Sequence, residues 1–369
     1  MKFITTREDL IKPLQMVCGV VERRQTLPVL SHVLLSLQEE NLTLTATDLE
    51  VQMKTHTPVR GMGDGGAGDI TLPARKFLDI CRALPEGAEV QLICEGGRAQ
   101  IRSGKSRFTL ATLPAGEFPS IETRESILEF SLAQKDLRQA IERTHFAMAQ
   151  DDVRYYLNGL LLELAERVLR LVATDGHRLA LCEQVREEEF YENQQVIIPR
   201  KGVLELHRLL EDNDAETRVT LGSNFILICT PEMNFTSKLI DGRFPDYQNV
   251  VPMSTDKTAV CEREPLRQAL GRVSILSNEK YRGVRMAFSQ GVLQISAHNP
   301  EHEEAEEEVA IDYTGSPLEI GFNVNYLLDA LAACDTEQVQ LLLSDPNSCC
   351  LIRGMNDPSC RYVVMPMRL

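Results

Sequence analysis

The chain has 369 residues, 43% of them hydrophobic and 25% charged, which is typical of a soluble globular protein of two or three domains. No 18 consecutive residues are apolar and no signal-peptide core follows Met1, so we expect a cytoplasmic protein that does not enter a membrane. The net charge of −15 argues against an evenly basic nucleic-acid-binding protein, and ten irregularly spaced cysteines without a Cys-x-x-Cys pair predict reduced, mostly buried thiols rather than a disulfide framework.

The predicted elements repeat three times along the chain. A first helix is predicted to begin at Asp9-Leu10, at Asp136-Leu137 and at Pro265-Leu266, and its leucine recurs after 127 and then 129 residues. Further apolar residues follow at helical spacing, as at Leu14 and Val17. This period is too long for a solenoid repeat, so each copy should be a whole domain.

Each copy continues with strands and a second helix. Two apolar runs joined by a polar turn predict a β-hairpin in every copy, and the paired runs are Val33–Leu37 with Leu42–Ala46, Leu160–Leu164 with Leu169–Ala173, and Val284–Phe288 with Leu293–Ala297. The second helix is predicted to follow Pro73-Ala74, Pro199-Arg200 and Asn323-Val324. We therefore predict an α+β fold of three tandem domains, residues 1–123, 127–252 and 253–369, each with two helices packed on a largely antiparallel sheet.

Basic residues recur on the predicted helices although the whole chain is acidic. Examples are Arg75 and Arg82 in the first copy, Lys201 in the second and Arg272 in the third. The acidic excess lies elsewhere, for instance at Glu187–Glu189. A positive face on a negative body and ordinary solvated helix surfaces are both compatible with this distribution.

Asp175-Gly176-His177-Arg178 combines an aspartate and a histidine between two apolar runs. Asp-Gly is a strong turn signal, and neighbouring side chains in a tight turn point apart. No nucleophile motif accompanies the pair. We expect a turn, or the lip of a binding pocket, rather than a catalytic site.

The segment Glu301–Glu308 contains six glutamates and His302, with His298 shortly before it. One interpretation is a metal site, which would make the protein a metal-dependent hydrolase. Six carboxylates in a short run mostly repel one another and face water, so a docking surface for a basic partner is favoured, and we expect no metal and no cofactor. A basic strip in the first copy is a possible match for it: Arg98, Arg102, Lys105 and Arg107. Opposite charges at the two ends of a chain predict head-to-tail association, which closes into a ring when the rotation closes.

The C-terminal residues Tyr362 to Leu369 are apolar almost to the last position, whereas chain ends are usually polar and frayed. Such an end is either an ordered core strand or part of an exposed apolar groove.

Taken together, these residues resemble the sliding clamp, or β subunit, of bacterial replicative DNA polymerase, over essentially the whole chain. The most specific stretches are Thr26–Pro28, Leu72–Lys76, Asp152–Gly159, Ala173–Leu179, Asp241–Tyr247 and the C-terminal residues. The resemblance implies a non-catalytic processivity factor whose two chains form a head-to-tail homodimeric ring of six domains, with the helices inside. About twelve helices, each roughly 10 Å wide, would leave an opening of about 28 Å, which accommodates duplex DNA.

The resemblance also implies three sets of functional residues. Those implied to contact DNA, through phosphate attraction that is independent of sequence, are Arg24, Arg75, Tyr155, Tyr156 and Lys201. Those implied to form a groove for short linear motifs are Leu157, Thr174, Gly176, His177, Arg178, Leu179, Pro245, Val250, Tyr281, Val363, Val364, Met365, Pro366, Met367 and Arg368. Those implied to form the dimer interface are Arg98, Arg102, Lys105, Arg107, Phe108, Leu110, Ile275, Leu276, Glu301, Glu303, Glu304, Glu306 and Glu307.

The implied partners are double-stranded DNA, a second copy of the chain, replicative and other DNA polymerases, the clamp loader and other proteins with a clamp-binding motif. Two alternatives stay open at this point. One is the metal-dependent hydrolase that uses His298, His302 and Glu301–Glu308, and the other is a scaffold that binds peptides but never encircles DNA.

Overall fold

A computed structural model describes residues 1–21, 27–62, 67–123, 125–252 and 255–368, without the side chains of residues 188, 191 and 192. Contacts within this part of the chain form two compact units. Unit 1 comprises Met1–Arg138 and Leu204–Leu239, and unit 2 comprises Gln139–Val203 and Ile240–Leu369. The predicted domain boundaries stay a prediction.

Six α-helices occur within the described ranges: α1 (Arg7–Cys18), α2 (Ala74–Ala83), α3 (Gln134–Glu142), α4 (Arg200–Leu209), α5 (Arg263–Val273) and α6 (Val324–Ala333). The strands of the same ranges are β1 (Lys2–Thr6), β2 (His32–Gln38), β3 (Asn41–Thr47), β4 (Val51–Pro58), β5 (Arg60–Gly61), β6 (Gly68–Pro73), β7 (Glu89–Glu95), β8 (Arg98–Ser103), β9 (Ser106–Ala111), β10 (Ser126–Ala133), β11 (Gly159–Thr174), β12 (Arg178–Pro199), β13 (Glu216–Gly222), β14 (Phe225–Cys229), β15 (Met233–Lys238), β16 (Lys257–Glu262), β17 (Gly283–Ser289), β18 (Val292–His298), β19 (Glu304–Ala310), β20 (Asp312–Thr314), β21 (Leu318–Asn323), β22 (Gln338–Leu343), β23 (Cys350–Gly354) and β24 (Asp357–Val364).

All six predicted helices are confirmed, and local chemistry explains where they begin. The side chain of Thr6 accepts a hydrogen bond from the backbone amide of Asp9 and caps α1, as Asn323 caps α6. Leu14 and Val17, which the helical spacing selects, are fully buried. Among the described residues, no helix is both long and apolar enough to cross a lipid bilayer.

Unit 1 contains two antiparallel sheets. One has the strand order β5-β1-β7-β8-β9, and the other has the order β10-β13-β14-β15-β4-β3-β2-β6. In the larger sheet, β15 pairs with β4, placing Phe235 opposite Met53. Both of these side chains are buried, so the pairing joins strands of the first and second sequence repeats into one sheet with a shared core.

Unit 2 also contains two antiparallel sheets, with the orders β11-β12-β24-β23-β22-β16-β20 and β19-β18-β17-β21. The strand β24 therefore lies between β12 and β23. Its residue Val363 is opposite Leu179 on one side and opposite Leu351 on the other. These three side chains are buried in one apolar cluster, which forms the floor of the candidate site.

The predicted hairpins are confirmed in the first and third copies, where β2 pairs with β3 and β17 pairs with β18. The hairpin predicted in the middle copy is wrong, because its two runs both lie in the long strand β11 and both pair with β12. The helices and antiparallel sheets confirm the predicted α+β class. All ten cysteines are free thiols, seven of them buried and three half-buried, as the spacing predicts.

Candidate functional site

The Asp175–Arg178 segment forms a tight turn between β11 and β12. The hydroxyl of Thr174 donates to the carbonyl of Arg178 at 2.6 Å and accepts from the amide of Gly176 at 3.1 Å. A carboxylate oxygen of Asp175 accepts from the amides of His177 and Arg178. Gly176 has φ +88°, which favours glycine because a side chain is strained there. The turn expected from Asp-Gly is confirmed.

Arg178 fixes this turn to the rest of unit 2. Its guanidinium donates to Asp175 at 3.1 Å, to Asp329 at 2.5 Å and to the carbonyl of Phe146 at 2.7 Å. It also lies over the ring of Tyr326, 4.5 Å from the centroid. Only 14% of the side chain is exposed. Arg178 therefore positions the lip of the site through contacts with residues far away in sequence.

Arg154 supports the same turn, although the resemblance did not single it out. Its guanidinium holds Asp152 with two hydrogen bonds, at 3.0 and 2.9 Å, and donates to the carbonyl of Asp175 at 3.2 Å. The side-chain hydrogen bonds from Arg154, aided by its backbone amide, lower the pKa of Asp152 to about 2. Asp152 and Arg154 belong to the stretch Asp152–Gly159, whose resemblance to the family is the only feature of the sequence that indicated them.

The C-terminal residues form an ordered wall beside the turn. Val363 and Val364 are buried in β24, opposite Leu179 and Arg178 of β12. Beyond the strand, the amide of Met365 donates to the carbonyl of His177 at 2.9 Å. The side chain of Met365 is 40% exposed. Residues up to Val364 thus form a core strand, and Met365 adds an exposed apolar surface. Each of the two interpretations of the C-terminal residues therefore describes one part of them.

We call the surface made by residues 174–179 and 363–368 the tail groove. Its floor is the apolar cluster of Leu179, Val363, Phe244 and Tyr247, and Leu157 is also buried in unit 2. Pro245 and Val250 are exposed on either side of Tyr247. An exposed methionine above a closed apolar floor, with polar groups at the lip, can bind apolar side chains of an extended peptide.

The groove continues past Met365 along the edge of the second sheet of unit 2. The amide of Met367 donates to the carbonyl of Gly321 on β21 at 2.9 Å. Met367 and Arg368 then line a cavity of about 410 Å³ together with Tyr281. The structure therefore places Tyr281 beside the last residues of the tail rather than beside the turn.

A buried carboxylate supports the floor from below. Glu163 accepts hydrogen bonds from Arg170 at 2.7 Å, from the hydroxyl of Tyr247 at 2.9 Å, and from Gln195. Burial by itself raises the pKa of Glu163, but the three hydrogen bonds together outweigh it and lower that pKa. Burial and the contact with Glu163 raise the pKa of Tyr247 to about 12. The ionised carboxylate thus fixes Tyr247 in the apolar cluster.

The residues implied to contact DNA lie on several elements. In unit 1, Arg75 is an exposed residue of α2 whose guanidinium donates to the carbonyl of Val21 at 2.8 Å. In unit 2, the rings of Tyr155 and Tyr156 meet edge to face at 5.8 Å. Lys201 is half-buried near the start of α4, and Arg24 lies outside the described residues.

Several other helix cations are already paired with carboxylates of the same chain, which reduces the positive face that the sequence permits. These pairs are Lys12 with Glu232, Lys135 with Asp214, Arg208 with Glu205, Arg267 with Glu264, and Arg272 with Glu307. Glu307, which the resemblance assigned to the interface, is therefore held by α5 of its own chain, and Arg272 lowers its pKa.

Each of the two charged strips lies at one edge of a sheet. In unit 1, Arg98 and Arg102 belong to β8, Arg107, Phe108 and Leu110 belong to the edge strand β9, and Lys105 lies in the turn between them. In unit 2, Glu304, Glu306 and Glu307 belong to the edge strand β19, and Glu301 and Glu303 precede it. Ile275 and Leu276 form a short turn after α5, and Ile275 is 75% exposed. Each strip thus borders an open sheet edge.

Three family models match the chain in tandem. They describe the N-terminal, central and C-terminal domains of the DNA polymerase III beta subunit and match residues 1–122, 131–246 and 248–368. The chain belongs to the DNA polymerase III beta subunit family. This family is the beta sliding clamp, a processivity subunit and not a catalyst.

Relatives of this beta subunit match it from end to end. The beta sliding clamp of Pseudomonas aeruginosa is 53% identical over 369 residues, and that of Escherichia coli K12 is 49% identical, with 100% of both chains covered in each case. A crystal structure of the P. aeruginosa sliding clamp bound to griselimycin superposes with a TM-score of 0.97 at 53% identity, again over 100% of both chains.

The metal-dependent hydrolase has no support from the fold of this beta subunit. Within the described ranges, no group of three or more His, Cys, Asp or Glu side chains is arranged to hold a metal ion. The main chain of Glu304 pairs with that of His298 across β18 and β19. A carboxylate of Glu303 instead accepts from the side chain of Asn299.

Proposed function

We propose that two copies of this chain close head to tail into a ring that encircles duplex DNA, slides along it, and holds DNA polymerases through the tail groove. The observation that carries the proposal is the tandem match of three clamp domains along the whole chain. Three copies of one domain make half of a closed ring, and the proposal places the ring in the cytoplasm with the replicating DNA.

Charge and strand geometry support the closure. An edge strand offers a row of unpaired backbone groups; the basic strip borders the edge strand β9, and the acidic β19 is also an edge strand. Pairing of β9 from one copy with β19 of the next would extend a sheet across the junction. Phe108, Leu110, Ile275 and Leu276 would then supply its apolar centre, with the charges setting the orientation.

The tail groove supports a partner that presents a short linear motif. Such a peptide would place one or two apolar side chains on the floor around Leu179 and Val363 and beside Met365, while its polar groups meet the turn at Gly176 and His177. We assign this groove to replicative and other DNA polymerases, to the clamp loader and to further proteins with the same motif. Because each chain carries one tail groove, these partners would compete for the same binding site.

A topological link explains how an acidic chain can retain DNA. Arg24, Arg75, Tyr155, Tyr156 and Lys201 would contact phosphates without reading sequence. A net charge of −15 weakens attraction to a polyanion, but a closed ring remains on DNA even when each contact is weak.

The test compares circular and linear DNA. The full chain is loaded by a bacterial clamp loader on nicked circular DNA, and the bound fraction is measured by gel filtration before and after a restriction enzyme linearises the circle. We expect retention on the circle, release after linearisation, and renewed retention when both linear ends carry streptavidin.

A matched control is the double variant Ile275→Ser with Leu276→Ser, which should be retained on none of these DNAs because its ring cannot close. Equal retention of the unmodified chain on open linear and circular DNA would refute the topological link.

A further inference from the structure

Two buried cysteines of unit 2 face each other across a strand pair. Cys182 of β12 is directly opposite Cys360 of β24, and their Sγ atoms are 3.0 Å apart. Opposite residues of an antiparallel pair have Cα atoms about 4.5–5.5 Å apart, which lies within the range of about 4.4–6.8 Å spanned by disulfides. The sulfurs need to approach by about 1 Å to reach a bond length of about 2.05 Å. Cβ atoms of opposite residues are about 4.5–5.5 Å apart and those of a disulfide about 3.5–4.5 Å, so bond formation requires only a small local approach of the two strands.

A cation lies beside this thiol pair. Nη1 of Arg143 is 3.8 Å from Sγ of Cys360, and Nη2 pairs with Asp335. The hydrogen bond shared by the two thiols lowers the pKa of Cys360; burial opposes this shift, and Arg143 adds to it. The same hydrogen bond raises the pKa of Cys182. Since the thiolate is the reactive form, Cys360 is the nucleophile of the pair and Cys182 the resolving thiol.

We propose that Cys182 and Cys360 are a modification site that hydrogen peroxide converts from two thiols into a disulfide. The Cys360 thiolate attacks one peroxide oxygen, the O–O bond breaks, and Cys360 sulfenic acid and hydroxide form. Cys182 gives its proton to this hydroxide, which becomes water, and its thiolate then displaces the hydroxyl of the sulfenic acid as a second hydroxide and forms the S–S bond. The second hydroxide takes up the proton that Cys360 lost on ionisation. In sum, two thiols and one peroxide yield one disulfide and two waters, and the two electrons lost by sulfur reduce the peroxide.

The position of the pair connects oxidation to the tail. Cys182 lies on the strand that begins at Arg178, and Cys360 lies on the strand that ends at Val364, so the disulfide would fasten the ladder behind the tail groove. We therefore expect slower amide hydrogen exchange at Met365 and Met367 in the oxidised chain than in the reduced chain. Unchanged exchange at both amides would show that the disulfide does not restrain the tail.

The test uses the full chain in the absence of DNA and partners, so it is independent of the proposed ring. Reduced protein is treated with hydrogen peroxide, free thiols are alkylated, and the digest is mapped by mass spectrometry. We expect a peptide pair joined through Cys182 and Cys360 that dithiothreitol separates. The variant Cys349→Ser, which alters a more exposed thiol, should form the same pair, whereas Cys182→Ser and Cys360→Ser should not.

A second variant keeps the proposal testable if a serine variant does not fold. Arg143→Gln removes the cation that favours the Cys360 thiolate, so it should slow disulfide formation several-fold near pH 7 and less as the pH rises, because hydroxide then favours the thiolate without Arg143. The proposal is overturned if Cys182 and Cys360 remain alkylatable while Cys94 or Cys349 is oxidised. Conversion of Cys360 to a sulfinic acid without the joined pair would overturn it equally.

Discussion

Replacing Arg178 by lysine should detach the turn of the tail groove from its support while keeping the positive charge. The guanidinium of Arg178 uses three separate nitrogens to reach Asp175, Asp329 and the carbonyl of Phe146. Those acceptors surround a planar group in three directions. A lysine ammonium is a single point on a flexible stem, so it can satisfy about one of them.

The expected loss of unfolding free energy follows from the contacts of Arg178 that a lysine cannot make. Two charge-assisted hydrogen bonds are lost, each contributing about 1.5 kcal/mol at the lower end of the usual range. The contact over Tyr326, at 4.5 Å from the ring centroid, is lost as well and contributes about 0.5–1 kcal/mol. We expect Arg178→Lys to lower the free energy of unfolding of unit 2 by about 3.5–4 kcal/mol and to weaken motif-peptide binding at least tenfold.

Urea unfolding measures the first quantity, followed by tyrosine fluorescence because the chain has eight tyrosines and no tryptophan. Fluorescence polarisation of a labelled motif peptide measures the second. Arg267→Lys is the matched control, since Arg267 forms a half-exposed ion pair with Glu264 at 2.8 Å and should cost less than about 1 kcal/mol. A loss below about 0.5 kcal/mol for Arg178→Lys, or equal losses for both variants, would contradict this reasoning.

Three further predictions concern the tail, the interface and the buried carboxylate. Deletion of residues 365–369 should abolish motif-peptide binding in fluorescence polarisation and leave the proposed dimer intact, because β24 ends before them; retained binding would contradict the groove. The double variant Ile275→Ser with Leu276→Ser should be monomeric by native mass spectrometry, and a dimer mass would disprove the proposed interface. The lowered pKa of Glu163 means that its stabilisation is complete above the pKa of an unfolded glutamate and is lost as the pH falls through the folded pKa. Urea midpoints measured from pH 7 down to pH 3 should therefore fall more steeply for the unmodified chain than for Glu163→Gln, and parallel curves would disprove the role of the carboxylate.

The elements of the fold were predictable because local patterns determine them. Apolar spacing at Leu14 and Val17 and the turn residues Asp175-Gly176 act over a few residues, and the structure has a helix and a turn at these positions. The pairing of β15 with β4 was not predictable from the same patterns. Alternating apolar residues indicate which face of a strand is buried, but they do not indicate which other strand it pairs with.

Part of the candidate site could likewise be predicted from the sequence, and part of it could not. The resemblance indicated the Asp175–Arg178 segment and the tail, and the structure brings them together through the hydrogen bond from Met365 to His177. It did not indicate that Arg178 reaches Asp329, 151 positions along the chain, because such a contact depends on the completed fold. The charge distribution likewise gave no sign that a carboxylate of Glu232 neutralises Lys12.

The position of β24 determines when this molecule can become complete during synthesis. Translation adds Asp357–Val364 after every other strand of its sheet, yet this strand separates β11-β12 from the remaining four strands. The chain must therefore leave the ribosome as far as Val364 before the two parts of that sheet can join. A product of a broken message that stops before Asp357 lacks the joining strand, and it exposes two unpaired strand edges that proteases and chaperones recognise. Completion of the sheet thus requires that translation has passed Val364.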